Sequence, residues 1–317
     1  MNGADILHTE SFFKKPLNIF LIAALCTLLW GSAFPGVKLG YELLRIATDD
    51  LPSKILFAGC RFGLAGVFTL IFAVVSGRRW VYPTRKNIGG ITLIGLIQTS
   101  LQYIFFYIGL SYTTGVKGSI LSATSTFMIV ILAHFVYRDD KITLQKAIGC
   151  LLGFCGVILV NLGGGLEGFS FLGEGCVLLS ALAFALGSLV SKNVASKGEP
   201  ATITAYQLMI GGAALIAIGL LCGGRITIPT WEALALFLYL ALLSSVAFVL
   251  WATLLRYNPV GKISVFNFLT PVFGSVLSVI FLPDQGFSIN ILFALALACA
   301  GIILVNREKS GRKKTES

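Results

Sequence analysis

Apolar residues run through this chain in long blocks separated by short polar connections. Ten such blocks stand out, at 18–41, 53–76, 88–110, 117–137, 143–162, 172–192, 201–222, 231–254, 263–282 and 287–306. About 20 predominantly apolar residues suffice for a helix to cross the hydrocarbon core of a bilayer. Helices and closed barrels are the only structures that satisfy every backbone group there. Each block therefore predicts a membrane-spanning helix, and the connections are too short to hold a soluble domain. The predicted fold class is an all-α integral membrane protein with ten transmembrane helices.

The pattern repeats. QKAIGCLLGFCGVILVN at 145–161 is answered by NILFALALACAGIILVN at 290–306. Trp30–Lys38 aligns with Phe184–Lys192, Lys closing both, and Arg61-Phe62 falls opposite Gln207-Leu208. Tyr107–Met128 aligns with Trp251–Val272 at a constant offset of 144, so that Thr126-Phe127 meets Thr270-Pro271 and Asp140 meets Asp284. A unit with five crossings re-enters from the opposite side on its second pass. The expected organisation is thus two inverted five-helix repeats, at 18–162 and 172–306. They are joined by an outer linker at 163–171 and flanked by a cytoplasmic tail at 1–17 and a basic cytoplasmic tail at 307–317. Inverted repeats build many secondary transporters, with the substrate site between the halves near the midplane.

Composition supports the membrane reading. The 317 residues are 56% hydrophobic and 12% charged, against about 25% charged in soluble domains. A net charge of +10 raises nucleic acid as a partner, but the distribution argues against it. With the N-terminus inside, 18 basic residues fall on inner segments, four on outer loops (Arg45, Lys54, Lys117, Arg225), and Lys38 and Arg61 within spans. This bias places both termini in the cytoplasm. The first apolar run is too long for a signal-peptide core and reads as an uncleaved anchor. The seven cysteines sit within or at the ends of apolar blocks without a CxxC pair, as small buried hydrophobes. No cofactor and no metal is called for. The partners expected are a small-molecule substrate and the lipid bilayer, with a homodimer left open.

The stretch Leu29-Trp30-Gly31-Ser32-Ala33-Phe34-Pro35-Gly36-Val37-Lys38 resembles the first-span signature of the EamA-like family of the drug/metabolite transporter superfamily. Arg61-Phe62-Gly63-Leu64-Ala65-Gly66 is similar to that family's second-span motif. Leu269-Thr270-Pro271-Val272-Phe273, followed by Asp284, is similar to its ninth-span motif. The resemblance covers 18–306 as two family units, with Phe127 standing where Pro is usual and Asp140 and Asp284 where Glu is usual. It implies ten helices around a central cavity lined by spans 1, 3, 4, 6, 8 and 9, with spans 5 and 10 peripheral.

Candidate functional residues follow from polar groups inside apolar spans. Basic residues there cost about 2.5–3.5 kcal/mol on insertion scales and mark function by default. Arg61 lies roughly 13 Å deep at 1.5 Å per residue. It either binds a substrate carboxylate or pairs with backbone carbonyls. Lys38 and Lys192, near opposite mouths, suit gating or an anion-attracting vestibule; interfacial anchoring fits them equally. Pro35 and Pro271 interrupt helical hydrogen bonding and are candidate hinges, or static kinks. Gln98, Gln102 and Phe105 share a helical face in span 3, with Tyr103 and Tyr107 alongside. Ser119, Ser122 and Thr126 form a stripe in span 4, and Ser264, Asn267 and Thr270 in span 9. With Trp30, Phe34 and Trp251 they predict a neutral-polar, aromatic cavity, although interhelical hydrogen bonds explain each residue singly. The substrate or cavity set is then Trp30, Phe34, Gln98, Gln102, Tyr103, Ser122, Thr126, Trp251, Asn267 and Thr270.

All 14 Asp and Glu lie in tails, loops or span ends, which leaves no mid-membrane carboxylate as a proton relay. The function expected is a secondary transporter exporting small metabolites such as amino acids by alternating access. A drug or sugar-type carrier of the same fold is the alternative within transport. An integral-membrane lipid-modifying enzyme is the alternative outside it, and the chain shows no GxSxG elbow, Walker A loop or ligand-spaced cluster for one.

Overall fold

The computed structural model describes residues 10–75, 82–113, 115–160, 169–281 and 289–306. Among these residues there is no strand, and seven helices are long and apolar enough to cross a membrane. They are α1 (Pro16–Leu43), α2 (Leu51–Val75), α3 (Arg85–Tyr112), α6 (Phe171–Ala195), α7 (Pro200–Leu221), α8 (Trp231–Tyr257) and α9 (Val260–Phe281). Three more apolar helices occupy the remaining predicted blocks: α4 (Gly115–Val136), α5 (Leu144–Val160) and α10 (Asn290–Asn306). The apolar stretches of these three are shorter than 18 residues. Asn161, Asp284, Arg78, Arg79, most of the linker and the basic tail 307–317 lie outside the described residues, as do the side chains of Lys117 and Ser119.

Helix boundaries follow local chemistry. Pro16 and Pro200 open α1 and α7, where a missing N–H costs no hydrogen bond. Thr230 caps α8 by accepting from the Ala233 N–H at 3.3 Å, and Ser170 caps α6 by accepting from Gly173 N–H at 3.2 Å. α7 ends in a Schellman motif: Gly223, at φ 86°, donates to Leu220 O, and Gly224 donates to Gly219 O. The lipid-facing side of α1 exposes Leu17, Leu21, Leu25 and Leu28, while Ile19, Ala23 and Cys26 turn inward. Such a face suits a bilayer, where lipid tails replace water.

Packing has an exchange pattern. α1 rests on α8 and α9, and α6 rests on α3 and α4; α2 runs along α7, and α5 along α10. Each contact recurs when five is added to one helix number and subtracted from the other. The two self-paired contacts depend on glycine. A Cβ on Gly212 of α7 would come within 2.4 Å of the Gly63 nitrogen on α2, and one on Gly301 of α10 within 2.4 Å of the Gly149 carbonyl on α5. Only Gly permits these backbone approaches.

Candidate functional site

A cavity of about 460 Å³ lies between the helices, lined from α1, α2, α3, α4, α6, α8 and α9. α5, α7 and α10 contribute no lining residue. The largest share comes from α1, whose Trp30, Phe34, Val37, Lys38 and Tyr41 form one helical stripe. Its aromatic body is held from behind: the Trp30 ring meets Trp251 at 5.0 Å and Phe248 at 5.6 Å, edge to face in both cases. Gly31 sets the neighbouring wall. A Cβ there would sit 2.8 Å from Phe273 Cβ and 2.9 Å from the Gly274 nitrogen, so α9 reaches α1 only because the residue is Gly. That approach sets α9 against the Trp30–Phe34 turn, and Asn267, Thr270 and Pro271 join the lining.

Arg61 is the deep cation. It is 4% exposed and borders the cavity although α2 was expected to stand outside it. Its Nε donates to Leu240 O at 3.2 Å and to Ser244 Oγ at 3.1 Å, and Nη2 donates to Ser244 Oγ at 2.9 Å. The guanidinium also lies 5.0 Å from the Phe62 ring centroid. Neutral oxygens of α8 brace one side of the group, as the backbone-pairing alternative expected, and the residue also borders the cavity.

Of the residues singled out by sequence, Trp30, Phe34, Lys38, Arg61, Gln102, Tyr103, Tyr107, Ser122, Asn267, Thr270 and Pro271 line the cavity; Gln98, Phe105, Thr126, Trp251, Ser264, Lys192 and Pro35 do not. Gln98 departs because α3 is not α-helical throughout. Gly95–Leu101 is a π-helical turn, and the Gln102 N–H reaches back five residues to Ile97 O. The wider turn breaks the i, i+4 register that would put Gln98 on one face with Gln102. Gln98 instead joins a buried chain in which it accepts from Gln207 Nε2 at 3.4 Å and donates to Ser188 Oγ at 3.4 Å. Thr126, fully buried, donates to Ser264 O at 3.4 Å; Ser122 and Ser125 carry the cavity face of α4. Trp251 stands one layer behind, against Trp30. Pro35 is buried inside a helix that continues through it. Pro271 falls in the first turn of the α-helical part of α9, directly after the 3-10 turn Val265–Phe268, so the break in α9 precedes it.

Tyr41, Phe106, Ser180 and Phe248 also line the cavity. One of these was legible: Phe106 stands one turn beyond Gln102, in the α-helical part of α3. At the Tyr41 end the lining reaches Leu110, which also borders an adjoining hollow of about 530 Å³ with Thr48, Asp49 and Lys54. Lys54 Nζ lies 5.6 Å from the Tyr41 ring centroid.

The opposite ends of the helices contribute nothing to the cavity and are tied together. Asp140, 1% exposed, accepts from Lys146 Nζ at 2.7 Å and from the Gly261 N–H at 2.7 Å, joining the α4–α5 connection to the start of α9. Lys192 donates to Asn258 O at 3.1 Å, lies 4.0 Å from Asp139 and sits 5.0 Å from the Tyr137 ring centroid. Tyr137 donates to Leu189 O at 2.8 Å. Burial, and then the carboxylates of Asp139 and Asp140, push its phenol up to about 12, so it stays a neutral donor. His134, in the last turn of α4, accepts from the Ile142 N–H of the α4–α5 connection at 3.0 Å. Among the described residues no group of three His, Cys, Asp or Glu is placed to hold a metal ion.

Comparison with known proteins gives two family matches along the chain. The family model described as the EamA-like transporter family matches residues 17–162 and again 171–307. The chain is 26% identical over 274 residues to the uncharacterized transporter YyaM of Bacillus subtilis (strain 168), covering 83% of this chain and 86% of that one. It is 27% identical over 292 residues to a chloroplastic WAT1-related protein of Arabidopsis thaliana, covering 87% and 66% respectively. A solved crystal structure shares the fold at a TM-score of 0.73 with 18% identity, over 91% of this chain and 98% of that chain.

Proposed function

The chain belongs to the EamA-like transporter family, and on that premise we propose that it is a secondary transporter exporting small metabolites, amino acids among them, by alternating access. It is a multi-pass membrane protein. In this reading its ten helices form two inverted five-helix repeats in a cytoplasmic (inner) membrane, with both termini in the cytoplasm. The exchange pattern of helix packing and the bias of basic residues support that arrangement.

One observation carries the reading. The cavity takes its walls from both halves of the chain, reaches the Tyr41 and Leu110 ends of α1 and α3, and stops short of the tied layer around Asp140 and Lys192. A cavity open toward one face and shut toward the other is one half of an alternating-access cycle. The other half requires the Asp140–Gly261 and Lys192–Asn258 contacts to part while the Lys38 end closes. Lys38 and Lys192 are the gating residues of this scheme. Gly31, Pro35 and the 3-10 turn of α9 are where bending would occur.

The test is efflux from proteoliposomes loaded with a panel of amino acids and small carboxylates, with and without a pH gradient. At least one solute should leave faster than from protein-free vesicles. Folded, correctly inserted protein that moves none of them overturns the proposal.

A further inference from the structure

Five lining residues bury a polar atom with no hydrogen-bond partner among the described residues: Trp30 Nε1, Tyr41 Oη, Gln102 Oε1, Asn267 Nδ2 and Thr270 Oγ1. Native proteins leave few such atoms unmet, because desolvation without a partner is costly. They come from α1, α3 and α9 and share one cavity with Arg61. The charge there is one-sided. The lining holds Lys38 and Arg61 and no carboxylate, and no described acidic group forms an ion pair with Arg61. Buried charges are ordinarily paired, yet Arg61 donates only to a carbonyl and a hydroxyl of α8, with the Phe62 ring beside its guanidinium.

We infer that the cavity binds a small organic monoanion, whose carboxylate or equivalent group pairs with Arg61 and whose flat apolar body lies among the aromatic rings. The inference rests on the cavity being the transport site proposed above, and it narrows the substrate class. Arg presents a planar fork of donors matched to a carboxylate. Its pairing in a site walled by Trp30, Tyr103 and Phe248 is screened by little water. The volume, about 460 Å³, is that of roughly 15 waters at ~30 Å³ each, which suits one ring and a short side arm. The unmet atoms of Asn267 and Gln102 then serve a polar substituent on that body; either amide can turn to present donor or acceptor. An ammonium group finds no carboxylate in the lining, so an anion is favoured over the zwitterion of the same skeleton. The adjoining hollow fits: Lys54 lines it and stands beside Tyr41, a residue of the cavity wall.

The probes are three molecules of one skeleton: 3-phenylpropanoate, its amide 3-phenylpropanamide, and phenylalanine. Binding to the full-length protein in detergent is read from intrinsic Trp fluorescence, since Trp30 lines the cavity. 3-Phenylpropanoate should bind at least about tenfold more tightly than either analogue. Arg61→Gln should remove that preference and leave the amide's affinity within about twofold. Retained amide binding in Arg61→Gln itself confirms that the mutated cavity is folded. Equal affinity for acid and amide, tighter binding of phenylalanine, or an acid affinity unchanged in Arg61→Gln each overturn the inference, as does failure of all three to bind. Transport separates this from the broader proposal. Amino-acid efflux without propanoate binding sinks the anion inference alone, whereas propanoate binding with no solute movement sinks the transporter.

Discussion

Arg61 and Asp140 are both charged and both nearly sealed, at 4% and 1% exposure, yet their charges are met in different ways. Asp140 is answered wholly by protein: an ammonium on one oxygen, a backbone N–H on the other. It works as a joint between the α4–α5 connection and α9. Arg61 is answered by neutral oxygens on one side and fronts a cavity on the other. Burial alone therefore does not separate a structural charge from a functional one. The chemistry of the partners does. A charge whose partners are complete closes a structure, and one whose partners are incomplete leaves room for something from outside.

The comparison can be broken most forcefully at Asp140. Asp140→Ala leaves Lys146 buried without its counter-charge and should cost about 3–5 kcal/mol, read as a lower melting temperature in detergent. Removing Lys146 as well should recover part of that loss. A single variant as stable as the parent would show that Asp140 is no joint. Gly31→Val comes next. The added atoms meet the α9 backbone, and overpacking of this kind costs about 1–3 kcal/mol; efflux per folded protein should fall too, because Asn267 and Thr270 move with α9.

The paired glutamines sharpen the contrast on a finer scale. Gln98→Leu leaves Gln207 Nε2 without its acceptor and should cost stability by about 1–3 kcal/mol while sparing efflux per folded protein. Gln102→Leu, facing the cavity, should do the reverse. Tyr137 gives the smallest effect. A phenol raised to about 12 in the folded state and near 10 when unfolded keeps its proton longer when folded. Its contribution is then constant below about pH 10 and lost as pH rises from about 10 to 12. Tyr137→Phe should lack that alkaline decline in a melting-temperature series.

Much of the fold could be read from the sequence, because apolar length and the repeated Gly-Val-Ile-Leu-Val-Asn and Gly-Ile-Ile-Leu-Val-Asn endings depend on composition and order. The stripe on α1 could be read for the same reason: its spacing is plain α-helical. The site was less legible wherever the helix departs from that spacing. The π-turn at Gly95–Leu101 carries Gln98 off the cavity face, and nothing in the run GLIQTSL announces it. Thr126 and Trp251 sit at lining-compatible positions but are taken up by Ser264 and Trp30, partners set by tertiary packing. Arg61 was recognisable as a deep charge, while its place at the cavity wall depends on how far α2 leans toward α8, which no local pattern encodes.

The central claim is that solute passes through this one cavity. Ser122→Trp tests it most directly, since Ser122 lines the cavity from α4 and the indole would occupy the space a substrate needs. With the melting temperature close to that of the parent, efflux of any transported solute from proteoliposomes should drop to the protein-free rate. Efflux that continues undiminished in that folded variant would contradict the account.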